Sequence, residues 1–170
     1  QKGVTDINAY GRFKVAHTII ATKKNGQEQE STAEKIVVAV GGRPAYPDAP
    51  GAKECCISSD DIFSLSEAPG KTLCVGASYI SLETAGFLTA LGFETSVAIR
   101  SIPLRGFDQE IAEMIVKYMG EHGTRFLRDS QPTAFEKQED GKIKVTFENT
   151  MFGNTFEETF DTVVLSLIHI

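Results

Sequence analysis

Two short runs in this chain carry residue types that suit phosphate binding. One is Gly76-Ala77-Ser78-Tyr79-Ile80-Ser81-Leu82-Glu83, and the other is Arg100-Ser101 with Arg105 close behind. The first run lies where a short apolar segment, Lys71 to Val75, gives way to a helical pattern starting at Ser78. A helix N-terminus offers unpaired N–H groups and a partial positive charge of about half a unit, so such a junction attracts phosphate. Gly76 permits a tight turn, and Ala77 and Ser78 are small enough for a pyrophosphate to approach the main chain. Ser78 stands where a G-x-G-x-x-G run has its second glycine. The letters alone therefore also fit a plain strand-to-helix turn with no ligand.

The end of the next strand adds a second signal. A site for NAD normally places Asp or Glu there, about 20 residues past the glycines, to hold the ribose 2′-hydroxyl. Here the position reads Ile99-Arg100-Ser101, and Arg105 follows in Leu104-Arg105-Gly106-Phe107. A carboxylate repels the 2′-phosphate of NADPH, whereas a guanidinium bonds it with paired donors. At about 1.5–3 kcal/mol per charge-assisted hydrogen bond, two such arginines account for a preference of about a hundredfold or more. The plainer alternative is two solvated surface arginines.

The elements that must position these residues follow from periodicity. Lys71 to Val75 reads as a strand, Ser78 to Leu91 as a helix stopped by Gly92, and Thr95 to Ile99 as a second strand. Asp108 to His122 reads as a second helix, with Ile111, Met114, Ile115, Tyr118 and Met119 toward the core and Gly123 as the stop. His122 would favour the C-terminal end of its dipole. Strand, helix, strand, helix predicts a parallel sheet with right-handed crossovers. Beyond Arg125 to Leu127 the pattern turns antiparallel. Thr133 to Lys137 and Lys142 to Glu148 form a hairpin turning at Asp140-Gly141, Phe156 to Phe160 forms a weaker strand, and Asp161 to Ile168 is β-like.

Upstream, Phe13 to Thr22 reads as one strand, Asn25-Gly26 as a turn and Gln27 to Ser31 as a return strand. Lys35 to Val40 reads as a strand buried on both faces. Pro44, Pro47, Pro50 and Gly51 mark a stiff domain boundary, and Ser59 or Asp60 is placed to cap a short helix through Leu65. The expected fold class is α/β, a Rossmann-like NADPH-binding domain with a parallel sheet plus an antiparallel β-meander, preceded by a partial FAD domain.

The chain has 170 residues, 41% of them hydrophobic, and a net charge of −6. That length suits one ordinary domain, and the acidic balance argues against nucleic-acid or membrane-surface partners. No apolar run approaches the roughly 20 residues of a membrane helix. Cys55, Cys56 and Cys74 form no C-x-x-C motif and read as ordinary thiols, with Cys74 in core packing.

The runs Ile57-Ser58-Ser59-Asp60-Asp61, Pro69-Gly70-Lys71-Thr72-Leu73, Gly76-Ala77-Ser78-Tyr79-Ile80, Glu83-Thr84-Ala85-Gly86-Phe87-Leu88 and Arg100-Ser101-Ile102-Pro103-Leu104-Arg105-Gly106-Phe107-Asp108 resemble the large FAD-containing thioredoxin reductases, including the thioredoxin-glutathione reductases, among the glutathione-reductase-like disulfide oxidoreductases. The similarity extends from about Asn8 to Val164. The resemblance implies that Gly76, Ala77, Ser78, Ile80, Ser81 and Glu83 line the NADPH path, with Glu83 also ordering a lysine outside this chain. It places Tyr79 between nicotinamide and flavin. It implies that Arg100, Ser101 and Arg105, with Gly106 and Phe107 beside them, hold the 2′-phosphate end. Gly41, in Ala39-Val40-Gly41, would face the FAD, although Val40 stands where the family usually has Thr. Ala45 stands where relatives often carry a basic residue.

The family relay runs from NADPH to FAD, to a C-x-x-x-x-C disulfide, and on to thioredoxin or a small disulfide substrate. The chain contains no C-x-x-x-x-C, and none of His17, His122 and His169 stands in the family's catalytic context. No catalytic residue and no metal ligand is therefore assigned. The expectation is a fragment: residues 1–44 the end of an FAD-binding domain, 45–165 the NADPH-binding domain, and 166–170 a truncation or non-native tail. The parent is expected to be a homodimer of the cytoplasm or mitochondrion. Three readings stay open: a thioredoxin-disulfide reductase, a glutathione-reductase-type enzyme, and a non-catalytic NADPH-binding module.

Overall fold

A computed structural model describes residues 3–42 and 44–166. The chain divides into two compact units, Gln1–Gly41 and Gly42–Ile170. The expected tail at 166–170 lies outside the described residues apart from Ser166.

The first unit is an antiparallel meander of β1 (Tyr10–Val15), β2 (Thr18–Thr22) and β3 (Glu28–Thr32), in that spatial order. The single strand expected over Phe13 to Thr22 is in fact two. The chain reverses at Ala16-His17 and sets Phe13 opposite Ile19 and Val15 opposite Thr18. Neither reversal residue is one of the Gly or Asn types that announce a two-residue turn, so composition concealed it. The turn at Asn25-Gly26 stands as expected, with the Gly26 N–H donating to Lys23 O at 2.9 Å. Arg12–Glu28 and Lys14–Glu30 ion pairs lie across the sheet surface.

Lys35 to Val40 corrects another expectation. It forms no strand, and Val37, Val38 and Val40 are exposed. A parallel strand exists only through hydrogen bonds to neighbours, and this run pairs with none among the described residues.

The second unit holds a five-stranded sheet in the order β4-β11-β5-β6-β7, parallel throughout. Its strands are β4 (Ile57–Ser58), β5 (Thr72–Val75), β6 (Thr95–Ile99), β7 (Arg125–Arg128) and β11 (Thr162–Leu165). Every residue of β5 and β6 is buried, as suits strands covered on both faces. One face carries the helices α2 (Tyr79–Ala90) and α3 (Gln109–Glu121). There Cys74, Val97, Ile99 and Val164 pack with Leu82, Ala85, Leu88 and Ala112. On the other face Leu73, Val75, Ala98, Val163 and Leu165 pack with Phe135, Val145, Phe147 and Phe160. Those last four belong to an antiparallel sheet of β8 (Ser130–Lys137), β9 (Ile143–Asn149) and β10 (Thr155–Phe160), ordered β10-β9-β8. The mixed α/β architecture with a Rossmann-like parallel sheet is thus present, and the antiparallel addition covers one of its faces.

A short helix α1 (Ala52–Cys55) precedes β4. Gly51 adopts φ +76°, and a Cβ there would lie 1.8 Å from the carbonyl oxygen of Phe135. The Phe135 N–H donates in turn to Pro50 O at 2.9 Å, so chain meets chain with no room for a side chain. The short helix expected to be capped by Ser59 or Asp60 is instead a 3-10 turn over Ile62–Ser64. Asp61 serves the preceding residues, accepting from the Ser58 N–H at 2.8 Å and the Ser58 hydroxyl at 2.7 Å.

Helix α3 turns a different face inward from the one its large apolar residues suggest. Ala112 and Val116 are buried, while Ile111, Met114, Ile115 and Tyr118 are exposed. Gly120 continues that row along the helix but is itself exposed, and a Cβ there would meet the Phe126 ring at 3.9 Å. Residues 112, 116 and 120 share one face at four-residue spacing, and their small volumes let the helix approach the sheet closely. Met119 is partly buried against the same cluster. At the helix end, His122 Nδ1 lies 2.7 Å from Tyr118 O, and the two rings stack at 4.0 Å.

Candidate functional site

The two runs expected to bind phosphate lie at one edge of the parallel sheet. β5 and β6 are parallel neighbours, so the turn after Val75 and the turn after Ile99 leave the sheet on the same side. Gly76 takes φ +95°, a conformation that costs a side-chain-bearing residue about 1–2 kcal/mol. Its N–H donates to Ala98 O at 3.1 Å, extending the ladder by one bond.

The next strand in the chain after β5 lies on one side of it, and β11 lies on the other. This change of direction is the topological switch point, where open α/β sheets bind ligands beyond the carboxyl ends of their strands. The Ser78 hydroxyl spans it, 3.4 Å from Ser166 O and 3.3 Å from Ser166 Oγ. Ser78 is the N-cap of α2, yet its side chain makes no capping bond to the helix. In α3 the same place is filled, because Asp108 accepts from the Ile111 N–H at 3.1 Å. The first turn of α2 therefore keeps its positive end uncapped by a side chain, beside a glycine turn.

Tyr79 opens α2 and is half exposed, and Glu83 lies one turn on, exposed on the same face. Ile80 is partly buried. Ser81 stands apart: its side chain is wholly buried and its hydroxyl has no hydrogen-bond partner among the described residues. Any part Ser81 plays toward a ligand falls to its main chain.

Arg100 and Ser101 leave the end of β6, both exposed. The Arg105 Nη2 donates to the Ser101 hydroxyl at 2.7 Å, and Arg105 is exposed as well. The loop is held by its main chain. Leu104 N–H donates to Ala77 O at 2.8 Å, Phe107 N–H to Leu104 O at 3.0 Å, and Gln109 Nε2 to Phe107 O at 3.0 Å. Gly106 and Phe107 are exposed on it. Leu104 is buried at φ +44°, a strained conformation for a leucine.

The arginines of this unit separate by their partners. Arg125 pairs with Glu158 and Arg128 with Glu113. Among the described residues Arg100 and Arg105 pair with no carboxylate. Two guanidinium groups without a carboxylate partner among the described residues thus lie on the loop that Leu104 bonds to the turn opening α2.

The cysteines belong to the packing: Cys56 and Cys74 lie in the core clusters and Cys55 packs against one of them. Burial pushes the Cys74 thiol up to about 12. Burial, with Cys55 and Glu54 nearby, does the same for Cys56. Both stay protonated at neutral pH and are poor nucleophiles. Cys55 donates to Phe135 O at 3.8 Å. Gly41 belongs to the first unit, exposed at φ +69°.

Sequence reasoning missed three contributors: Leu104, Ser166 and Thr150. The Thr150 hydroxyl donates to Arg100 O at 3.0 Å from fifty positions along the chain. No local pattern marks such a residue.

The chain matches the family described as pyridine nucleotide-disulphide oxidoreductase over residues 1–167. It is 47% identical over 165 residues to thioredoxin reductase SEP1 of Emiliania huxleyi, covering 97% of this chain and 33% of that relative. The chain thus spans about a third of the length of the curated relative it matches.

Proposed function

Because this chain belongs to the pyridine nucleotide-disulphide oxidoreductase family, we propose that its second unit binds NADPH and that the intact protein is an FAD-dependent thioredoxin-disulfide reductase. The observation that carries the NADPH reading is the pair Arg100 and Arg105. Neither has a carboxylate partner among the described residues, and their loop is bonded to the glycine turn through Leu104 and Ala77. The pyrophosphate would lie over the Gly76 turn and the first turn of α2, where Ala77 and Ser78 leave room. The 2′-phosphate would meet Arg100, Ser101 and Arg105. Gly106 and Phe107 would frame that end, and Tyr79, Ile80, Ser81 and Glu83 the nicotinamide path.

The family supports use of a flavin and a pyridine nucleotide, and the name of the curated relative supports thioredoxin as the substrate. Bound NADPH supplies the hydride for disulfide reduction through a flavin. The residues of this chain bind and orient: helix N-terminus and glycine turn toward the pyrophosphate, guanidinium groups toward the ribose phosphate. Gly41 is proposed to face the FAD.

The cofactor reading is tested by calorimetric titration of the 170-residue chain with NADPH and NADH. Tighter binding of NADPH by about a hundredfold is expected. Equal affinity for the two, or no binding by a chain shown to be folded, overturns it. The substrate reading is tested on the intact protein by comparing NADPH-dependent reduction of oxidised thioredoxin with that of glutathione disulfide.

A further inference from the structure

Resting on the NADPH reading, we propose that the turn joining β9 to β10 is the base-recognition wall of the site, with the Phe152 ring stacking on the adenine and Met151 packing at its edge. The strand order fixes the direction in which the nucleotide runs. The pyrophosphate position lies at the end of β5 and the 2′-phosphate position at the end of β6, and β7 is the next strand beyond. The base attached to that ribose therefore extends toward the end of β7.

At that place the chain returns from a distant segment. Thr150 bonds the residues just past both strands: its hydroxyl donates to Arg100 O at 3.0 Å, and its N–H donates to Asp129 O at 2.8 Å. The turn it anchors is closed by its own hydrogen bonds. Asn149 Oδ1 accepts from the N–H groups of Met151 and Phe152, both at 3.0 Å. The Gly153 N–H donates to Asn149 O, and the Asn149 N–H to Asn154 O, each at 2.8 Å.

This ordered polar frame holds two apolar side chains out in water. Phe152 is 80% exposed and Met151 68%. Neither enters either core cluster. Turn tips are ordinarily polar, and their residues serve the turn itself. An exposed aromatic ring on a fixed frame is a stacking platform for a nucleobase, and a thioether sits favourably at a ring edge. The wall also continues directly from Arg100, so phosphate and base are read by adjoining groups.

The chain contains no tryptophan, so Phe152→Trp introduces a single indole at the proposed wall. The probe is adenosine 2′,5′-bisphosphate, which carries the base and the 2′-phosphate without the nicotinamide. It is titrated into the wild-type chain, Phe152→Ala and Phe152→Trp, each first matched by far-ultraviolet dichroism. Phe152→Ala is expected to bind about tenfold more weakly. Indole emission of Phe152→Trp is expected to quench to saturation with the probe and not with inorganic pyrophosphate. If the probe binds wild type and Phe152→Ala equally and leaves the indole unquenched, the wall is refuted while the NADPH reading stands. If folded wild type does not bind the probe, both fall.

Discussion

The main-chain N–H of Leu104 donates to the carbonyl of Ala77 across 2.8 Å, fastening the loop that carries Arg105 to the turn that carries Gly76. Leu104 holds φ +44° to make this bond, and its side chain is buried beside Leu82 and Ile99 in the helix-side core. Burying a leucine contributes about 1.5–3 kcal/mol, enough to offset the backbone strain of about 1–2 kcal/mol. The two segments are therefore bonded directly to each other.

Arg100→Ala and Arg105→Ala are each expected to weaken NADPH binding by roughly ten- to a hundredfold and to leave NADH binding unchanged. Calorimetric titration with both nucleotides checks this. Should NADH weaken in step, the two side chains would be structural.

Gly51→Ala is expected to destabilise the chain by about 3 kcal/mol or more, because the new Cβ would lie 1.8 Å from Phe135 O at φ +76°. Gly141→Ala is the control. It has a similar φ of +85° with open space around it, and a cost of about 1 kcal/mol is expected. Urea unfolding of both variants separates close approach from backbone strain; equal losses would remove the steric argument.

The orientation of α3 makes opposite predictions for neighbouring residues. Met114→Lys, at a position 63% exposed, is expected to change stability by no more than about 0.5 kcal/mol. Val116→Ala, at a buried position, is expected to cost about 2 kcal/mol. A larger loss from the lysine substitution would mean that the large apolar face packs inward after all.

Glu158 on β10 bonds Lys71 Nζ, just before β5, at 2.8 Å and pairs with Arg125 on β7. Burial opposes its ionisation, but hydrogen bonds from Arg125 and Lys71 outweigh burial and hold its carboxyl below the ordinary value of 4.5. A depressed carboxyl stabilises the fold above its unfolded value, and that contribution is lost as pH falls through the folded one. Glu158→Gln is thus expected to cost on the order of 1 kcal/mol at pH 7. The gap from wild type is expected to close as pH falls below about 4.5. Thermal unfolding at pH 7, 5 and 3 follows it; a gap that stays constant would assign the cost to packing.

Much of the second unit was legible locally. Thr95 to Ile99 is a strand with the expected bounds, and the helices span Tyr79–Ala90 and Gln109–Glu121 with Ser78 and Asp108 at their N-caps. Strong stop residues and clean periodicity carried those readings. Legibility failed where the outcome depended on a partner. Lys35 to Val40 has strand composition, but a strand needs neighbours to accept its hydrogen bonds. In α3 the bulk of Ile111 and Met114 pointed to the core, and the sheet accepted the smaller Ala112 and Val116 instead.

From the sequence alone came the residue chemistry and the short-range geometry: a glycine turn before a helix, and arginines where a carboxylate would select NAD. Those follow from sterics and charge within a few bonds along the chain. Tertiary structure alone decided that Gly76 and Arg100 share one edge, that Ser166 closes the switch point, and that Thr150 carries Phe152 to the end of β7. Strand order and register set those meetings, and they depend on which distant surfaces bury one another, which a local pattern of residues does not encode.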